Sequence, residues 1–239
     1  MNKILLPCCM LLGITSLAQN AATAQSDARW QIGVNASPQV NYRQLRSTPG
    51  DQGSIVITES RNQIETPRPS YTVGVSLGYQ LTEHITLNSG LQYGNWGLQT
   101  ELRDMVYQPS NFPLPKQIRT KYHVNYLIVP LTANITLGQK RLKFTAGAGL
   151  NAMYMVNEKT SFKLIYDDGH MERQGQNSSF YRKFNLAPQI SAGIDYAVYD
   201  HLHLKLEPIF RYAAMESADA PVREHLYNYG LNMSVYWKI

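Results

Sequence analysis

Residues Leu231 to Ile239 put Leu231, Met233, Val235, Trp237 and Ile239 at one parity and Asn232, Ser234, Tyr236 and Lys238 at the other. Side chains point to opposite faces at successive strand positions, so this pattern predicts a strand with one apolar and one polar side. The same alternation recurs upstream, at about Trp30–Tyr42, Tyr71–Leu81, Ile85–Tyr93, Lys121–Leu137, Leu142–Tyr154, Phe184–Val198 and Leu202–Tyr212. The last segment runs from about Leu226 to the end of the sequence. A regular strand that reaches the final residue predicts a sheet closed on itself, because an open edge there would fray or aggregate.

The connections alternate in length. Thr82-Glu83-His84, Gly138-Gln139-Lys140-Arg141 and the residues around Asp200 are of hairpin length. Roughly 43–70, 99–120, 157–182 and 213–225 are long and polar. Short and long connections in strict succession gather the long loops at one end and both termini at the other. The expected fold is all-β, an eight-stranded antiparallel up-and-down transmembrane barrel with four long extracellular loops.

Composition agrees with a lipid-facing exterior. Charged residues are 16% of the chain against about 25% in an average soluble domain, and Tyr (16) outnumbers Phe (6). Amphipathic rings suit membrane–water interfaces. A mean hydropathy of −0.31 does not argue for a soluble protein, because alternating strands average out near neutral. Trp30, Tyr79, Tyr196 and Trp237 fall near the short turns. Tyr71, Tyr93, Tyr122, Tyr154 and Tyr212 fall near the long loops, and together these residues are expected to form two interfacial girdles. Val124, Tyr126 and Ile128 alternate on one parity, while Leu131, Ala133, Ile135 and Leu137 follow on the other. Pro130 sits between the two sets, so a bulge is expected there.

The N-terminal segment carries Lys3, an apolar stretch from Ile4 to Ile14 and an A-x-A site at Ala22-Thr23-Ala24. This predicts a secretory signal over 1–24 and a mature barrel over 25–239. Cys8 and Cys9 leave with the signal, so the mature chain is expected to lack disulfides. The formal charge of +5 is modest and scattered, which excludes a nucleic-acid footprint.

Site candidates are the charges at the polar parity. A symmetric turn about Asp200 would face Asp195 with Lys205, Gly193 with Glu207 and Gln189 with Arg211. With Lys143 and Lys238 these form an expected lumen charge cluster of Asp195, Lys205, Glu207, Arg211, Lys143 and Lys238. The lumen of an eight-stranded barrel is just filled by side chains, so opposite charges packed there would plug it. Catalytic motifs are weak: His84, His123 and His225 have no serine at strand spacing two. His201-Leu202-His203 has no third ligand nearby, and Asp167-Asp168-Gly169 supplies too few oxygens for calcium. No enzyme, metal or cofactor is expected.

Tyr126-Leu127-Ile128-Val129-Pro130-Leu131, Gly147-Ala148-Gly149, Leu206-Glu207-Pro208 and Tyr229-Gly230-Leu231 resemble the small outer-membrane β-barrel domain of Bacteroidetes, the PorT-family or OmpA/OmpX-like barrels. The resemblance covers about 30–239. It implies a barrel in the outer membrane of a Gram-negative bacterium with both termini periplasmic. Its expected partners are outer-membrane lipid, the barrel-assembly machinery during insertion, and an unidentified protein at the loops or turns. The expected role is non-enzymatic: structural, adhesive or in assembly. The alternative is a transport element, either a narrow pore or an accessory to a secretion system such as type IX. Ile239 departs from the terminal aromatic common in such barrels.

Overall fold

The computed structural model describes residues 29–106, 114–138, 140–177, 179–218 and 220–239. The expected secretory signal lies outside the described residues. The barrel strands are β1 (Arg29–Arg46), β2 (Arg68–Gln80), β3 (Ile85–Trp96), β4 (Gln117–Leu137), β5 (Leu142–Ile165), β6 (Phe184–Ala197), β7 (Leu202–Tyr212) and β8 (Arg223–Lys238). Each pairs antiparallel with its neighbours in sequence. β1 closes the ring on β8, from Gln31↔Lys238 to Arg46↔Arg223, and the Ile239 amide donates to the Trp30 carbonyl at 2.8 Å. The chain is therefore an eight-stranded antiparallel barrel.

Its surface is inverted relative to a soluble protein. Val34, Leu131, Phe144 and Ile190 are 58–66% exposed on the outer face, while Asn41, Asn151 and Asn228 are fully buried inside. The apolar residues run around the whole circumference, far beyond the few hundred Å² a soluble monomer leaves bare, so this band meets lipid. Exposed aromatics stand near both ends of the band. Trp30, Tyr196 and Trp237 lie by the short turns, where Trp30 packs on Tyr79 at 4.9 Å between ring centroids. Tyr71, Tyr93 and Tyr154 lie toward the long loops. Tyr212 is half-buried, stacked on His225 and donating to Gln44 Oε1.

Two expectations fail on β4. Tyr122 faces inward, packed against the buried cluster described below, and not outward as an interfacial ring. The bulge is also elsewhere. Pro130 lies opposite Asn151 in unbroken register, and the shift falls between Asn125 and Tyr126, where Asn157 and Met155 are successive partners. The extra residue is thus Val156 on β5. Val124, Tyr126, Ile128, Pro130, Thr132 and Asn134 are all buried on one face, with Leu127, Val129, Leu131 and Ile135 exposed on the other. β4 keeps its phase throughout. The apparent break arises because the inward face changes from polar to apolar, not because the strand slips.

The long connections carry structure that alternation cannot signal. A helix, α1 (Gln52–Ile64), occupies the first, begun by Asp51, whose Oδ1 accepts from Gly53 N at 3.0 Å. β5 runs past the rim and turns back as a strand over Met171–Asn177, in register from Lys159↔Asn177 to Ile165↔Met171. What reads as a loop over 157–182 is mostly a hairpin. It extends a sheet that β4 already reaches at Gln117↔Ile165.

Candidate functional site

The bore has three levels. The lowest, toward the short turns, is a polar cavity of about 110 Å³. Its walls include all six expected charges: Lys143, Asp195, Lys205, Glu207, Arg211 and Lys238. Hairpin register positions them as the turn symmetry predicts, with Asp195↔Lys205 and Gln189↔Arg211 paired across β6 and β7. Gly193 makes room for Glu207, since a Cβ there would lie 2.0 Å from the Leu206 carbonyl and 2.7 Å from Glu207 Cα.

The ion pairing differs from that register. Lys205 Nζ meets Glu207 Oε1, two residues along the same strand, at 2.8 Å. Thr145 Oγ1 (3.2 Å) and Ser191 Oγ (3.4 Å) also donate to that carboxylate oxygen. Asp195 instead accepts from His203 Nδ1 at 2.9 Å and from the Tyr236 hydroxyl, whose ring stacks on His203 at 4.9 Å. Arg211, 1% exposed, has only neutral partners. Its Nε donates to Gln189 Oε1 at 2.9 Å, and its Nη atoms reach Gln39 Oε1, Thr72 Oγ1 and Gln92 Oε1 at 3.4–3.5 Å.

The middle level is apolar. Trp96, Leu98, Val124, Tyr126, Ile128, Met153, Ala187, Ala213 and Leu226 form one cluster, none more than 2% exposed. Between Trp96 and Leu98, Gly97 adopts φ +122° where the chain passes close to β4, and a Cβ there would sit 2.1 Å from the Tyr122 carbonyl. This plug lies between the polar cavity and the long loops. Inward apolar residues at the upper ends of six strands carry the same parity signal as outward ones, so the sequence reading missed it.

The upper level is a buried ionic clamp, also missed. Glu65, just past α1, accepts from Arg43 Nε and Arg61 Nε, both at 2.7 Å. Arg61 Nη2 reaches Glu224 Oε2 on β8 at 2.5 Å, and Tyr181 donates to Glu224 Oε1 at 3.0 Å. Glu158 accepts from the Phe180 and Tyr181 amides at 2.9 and 3.0 Å. Burial works against the Arg61 charge, yet Glu224 and Glu65 outweigh it and raise its pKa. Burial pushes the Tyr181 phenol well up, and Glu224 adds to this. The clamp ties α1 to β1 and β8. At the rim, Arg68 Nη1 meets His123 Nδ1 at 2.7 Å while Nη2 donates to Asn95 Oδ1 and the Trp96 carbonyl. Burial first, then Arg68, Lys121 and Lys159, lower His123 to about 4.

Among the described residues, no group of three or more His, Cys, Asp or Glu is placed to hold a metal ion. The family described as outer membrane protein beta-barrel domain matches residues 17–213. No curated protein matches the chain. Among solved structures, the chain is similar to Neisserial surface protein A (12% identity, 89% of this chain and 100% of that one, TM-score 0.48). It is also similar to the N-terminal β-barrel domain of Pseudomonas aeruginosa OprF (15%, 89% and 100%, 0.40) and to Pseudomonas aeruginosa OprG (12%, 89% and 96%, 0.44).

Proposed function

The chain belongs to the outer membrane protein beta-barrel domain family, and on that premise we propose that it is a non-enzymatic barrel with a structural or adhesive role, closed to ion flow and built to hold up its long-loop end. The carrying observation is the apolar plug. Trp96, Leu98, Tyr126 and Ile128 fill the bore above the polar cavity, and an ion crossing that layer would exchange its hydration for mainly apolar side chains packed without a water-wide path. The clamp of Arg43, Glu65, Arg61 and Glu224 then fixes α1 over the same end. A closed bore and a rigid upper rim suit display rather than transport. In this reading the long loops face outward and both termini are periplasmic, as short turns at the periplasmic side require.

Planar-bilayer recording of the refolded barrel tests this. The expected result is an unbroken baseline for the wild type, with discrete conductance only in a variant that opens the plug, such as Trp96→Ala with Tyr126→Ala. Regular steps in the wild type, abolished by Arg211→Gln, would overturn the proposal and favour the pore.

A further inference from the structure

Above the rim, the outer face of the extended sheet is basic. Its orientation follows from register. β3 and β4 stay in phase from Ile85↔Ile135 to Trp96↔Val124 and on to Gln99↔Lys121, so Lys121 and His123 share the side of Leu127 and Val129, which are exposed on the apolar band. Climbing from the exposed pair Leu127↔Tyr154, the cross-strand rows on this face are the neutral Asn125↔Asn157, then His123↔Lys159, Lys121↔Ser161 and Arg119↔Lys163. The last row continues to Arg173 on the returning strand, putting three cations side by side. Lys159 lies across Gly175, where a Cβ would fall 2.5 Å from its Cε.

Like charges directly opposite each other destabilise a sheet. Among the described residues none of Arg119, Lys121, Lys159, Lys163 and Arg173 meets a carboxylate. Asp104 sits opposite Gln117 and is hydrogen bonded by it, Glu172 is held by Tyr166 and Gln174, and Glu101, two residues past Gln99 on the neighbouring segment, forms no ion pair among the described residues. Lys121 is lowered by burial first and then by Arg119, Arg68, Arg173 and Lys163, which shows how closely the cations gather.

We propose that this face binds the phosphate groups of membrane glycolipid in the leaflet beside the long loops. The inference rests on the membrane reading above, and it adds the ligand. Position selects the ligand: at about 3.3 Å per residue, Lys159 and His123 stand about 13 Å along the strand above the Leu127 row, and Arg119 about 26 Å. Headgroup phosphates reach the lower row, and only a tall, multiply phosphorylated headgroup reaches the upper one. Phosphate oxygens between the rows would convert the repulsion into charge-assisted hydrogen bonds.

The test uses the full mature barrel in phosphatidylcholine nanodiscs, titrated with lipopolysaccharide. Hydrogen exchange of the 159–177 hairpin and native mass spectrometry give the readouts. Lys163→Gln with Arg173→Gln should weaken binding about thirtyfold, at about fivefold per cation near an anionic surface. Without lipopolysaccharide the same variant should keep the hairpin at least as protected as in wild type, since it relieves repulsion. Equal binding by wild type and variant, or equal binding of dephosphorylated lipopolysaccharide, would overturn the proposal. Equal protection by inorganic phosphate, or by a heparin fragment but not by lipopolysaccharide, would overturn the lipid assignment. Insertion into the nanodisc, read separately from tryptophan fluorescence, keeps a failure of the membrane reading distinct from a failure of this one.

Discussion

Glu224→Gln isolates the clamp. The carboxylate is 2% exposed and holds Arg61 at 2.5 Å and the Tyr181 hydroxyl at 3.0 Å. With Arg43, Glu65 and Arg61 the cluster balances two positive and two negative charges. Glutamine keeps the shape and one acceptor, but it leaves the group with a net positive charge. Removing one partner from a buried pair costs about 3–5 kcal/mol. The Arg61 side chain is 23% exposed, so water screens part of that and brings the cost below this range, to about 2–3 kcal/mol. Because the clamp fastens α1 to the rim, the loss should appear as local opening. Hydrogen exchange of the α1 amides should accelerate about 30- to 150-fold, while the barrel strands keep their protection. Adding Arg61→Leu restores the charge balance and should recover most of the protection. Unchanged exchange in Glu224→Gln would refute the idea that buried charge pairing, rather than helix packing, holds α1 down.

Other outcomes follow from the same geometry. Glu207→Ala strands Lys205 and two hydroxyl donors in a polar cavity, so unfolding in detergent should need about 2–3 kcal/mol less. Gel mobility after graded heating measures it, and Lys205→Met with Glu207→Leu should cost far less. Trp96→Ala removes the largest plug side chain and should destabilise the barrel by about 3–5 kcal/mol, read from guanidinium midpoints. A nuclear magnetic resonance titration should find His123 neutral at pH 6 with a midpoint of about 4. Its folded value lies below the unfolded value of about 6.5. The stability it contributes is therefore complete above pH 6.5 and lost as pH falls through 4. Arg68→Leu should raise that midpoint only partway, because burial is the larger cause.

Strand identity, the barrel and the gathering of Asp195, Lys205, Glu207 and Arg211 were legible in sequence because each depends on short-range order. Period-two alternation assigns a face to each residue, and a hairpin turn about Asp200 sets register between β6 and β7. The ion partners were not legible. Register set Asp195 beside Lys205, yet side-chain reach and stacking joined Asp195 to His203 and Tyr236, and Lys205 to Glu207. The plug was hidden for a different reason. Alternation separates two faces but does not label either as lumen or lipid, so Val124, Tyr126 and Ile128 read as a phase break around Pro130. Only ring closure shows these residues sharing an interior with Trp96, Met153 and Leu226. The clamp and the cationic rows need still longer reach. Arg61 meets Glu224 across 163 residues, and Arg119, Lys163 and Arg173 align only once three strands pair above the rim. What the sequence determined alone is what a strand knows about itself, its two faces and its ends. Which residues share the bore or the outer face was decided by pairing across the whole ring, where register brings distant residues within contact range.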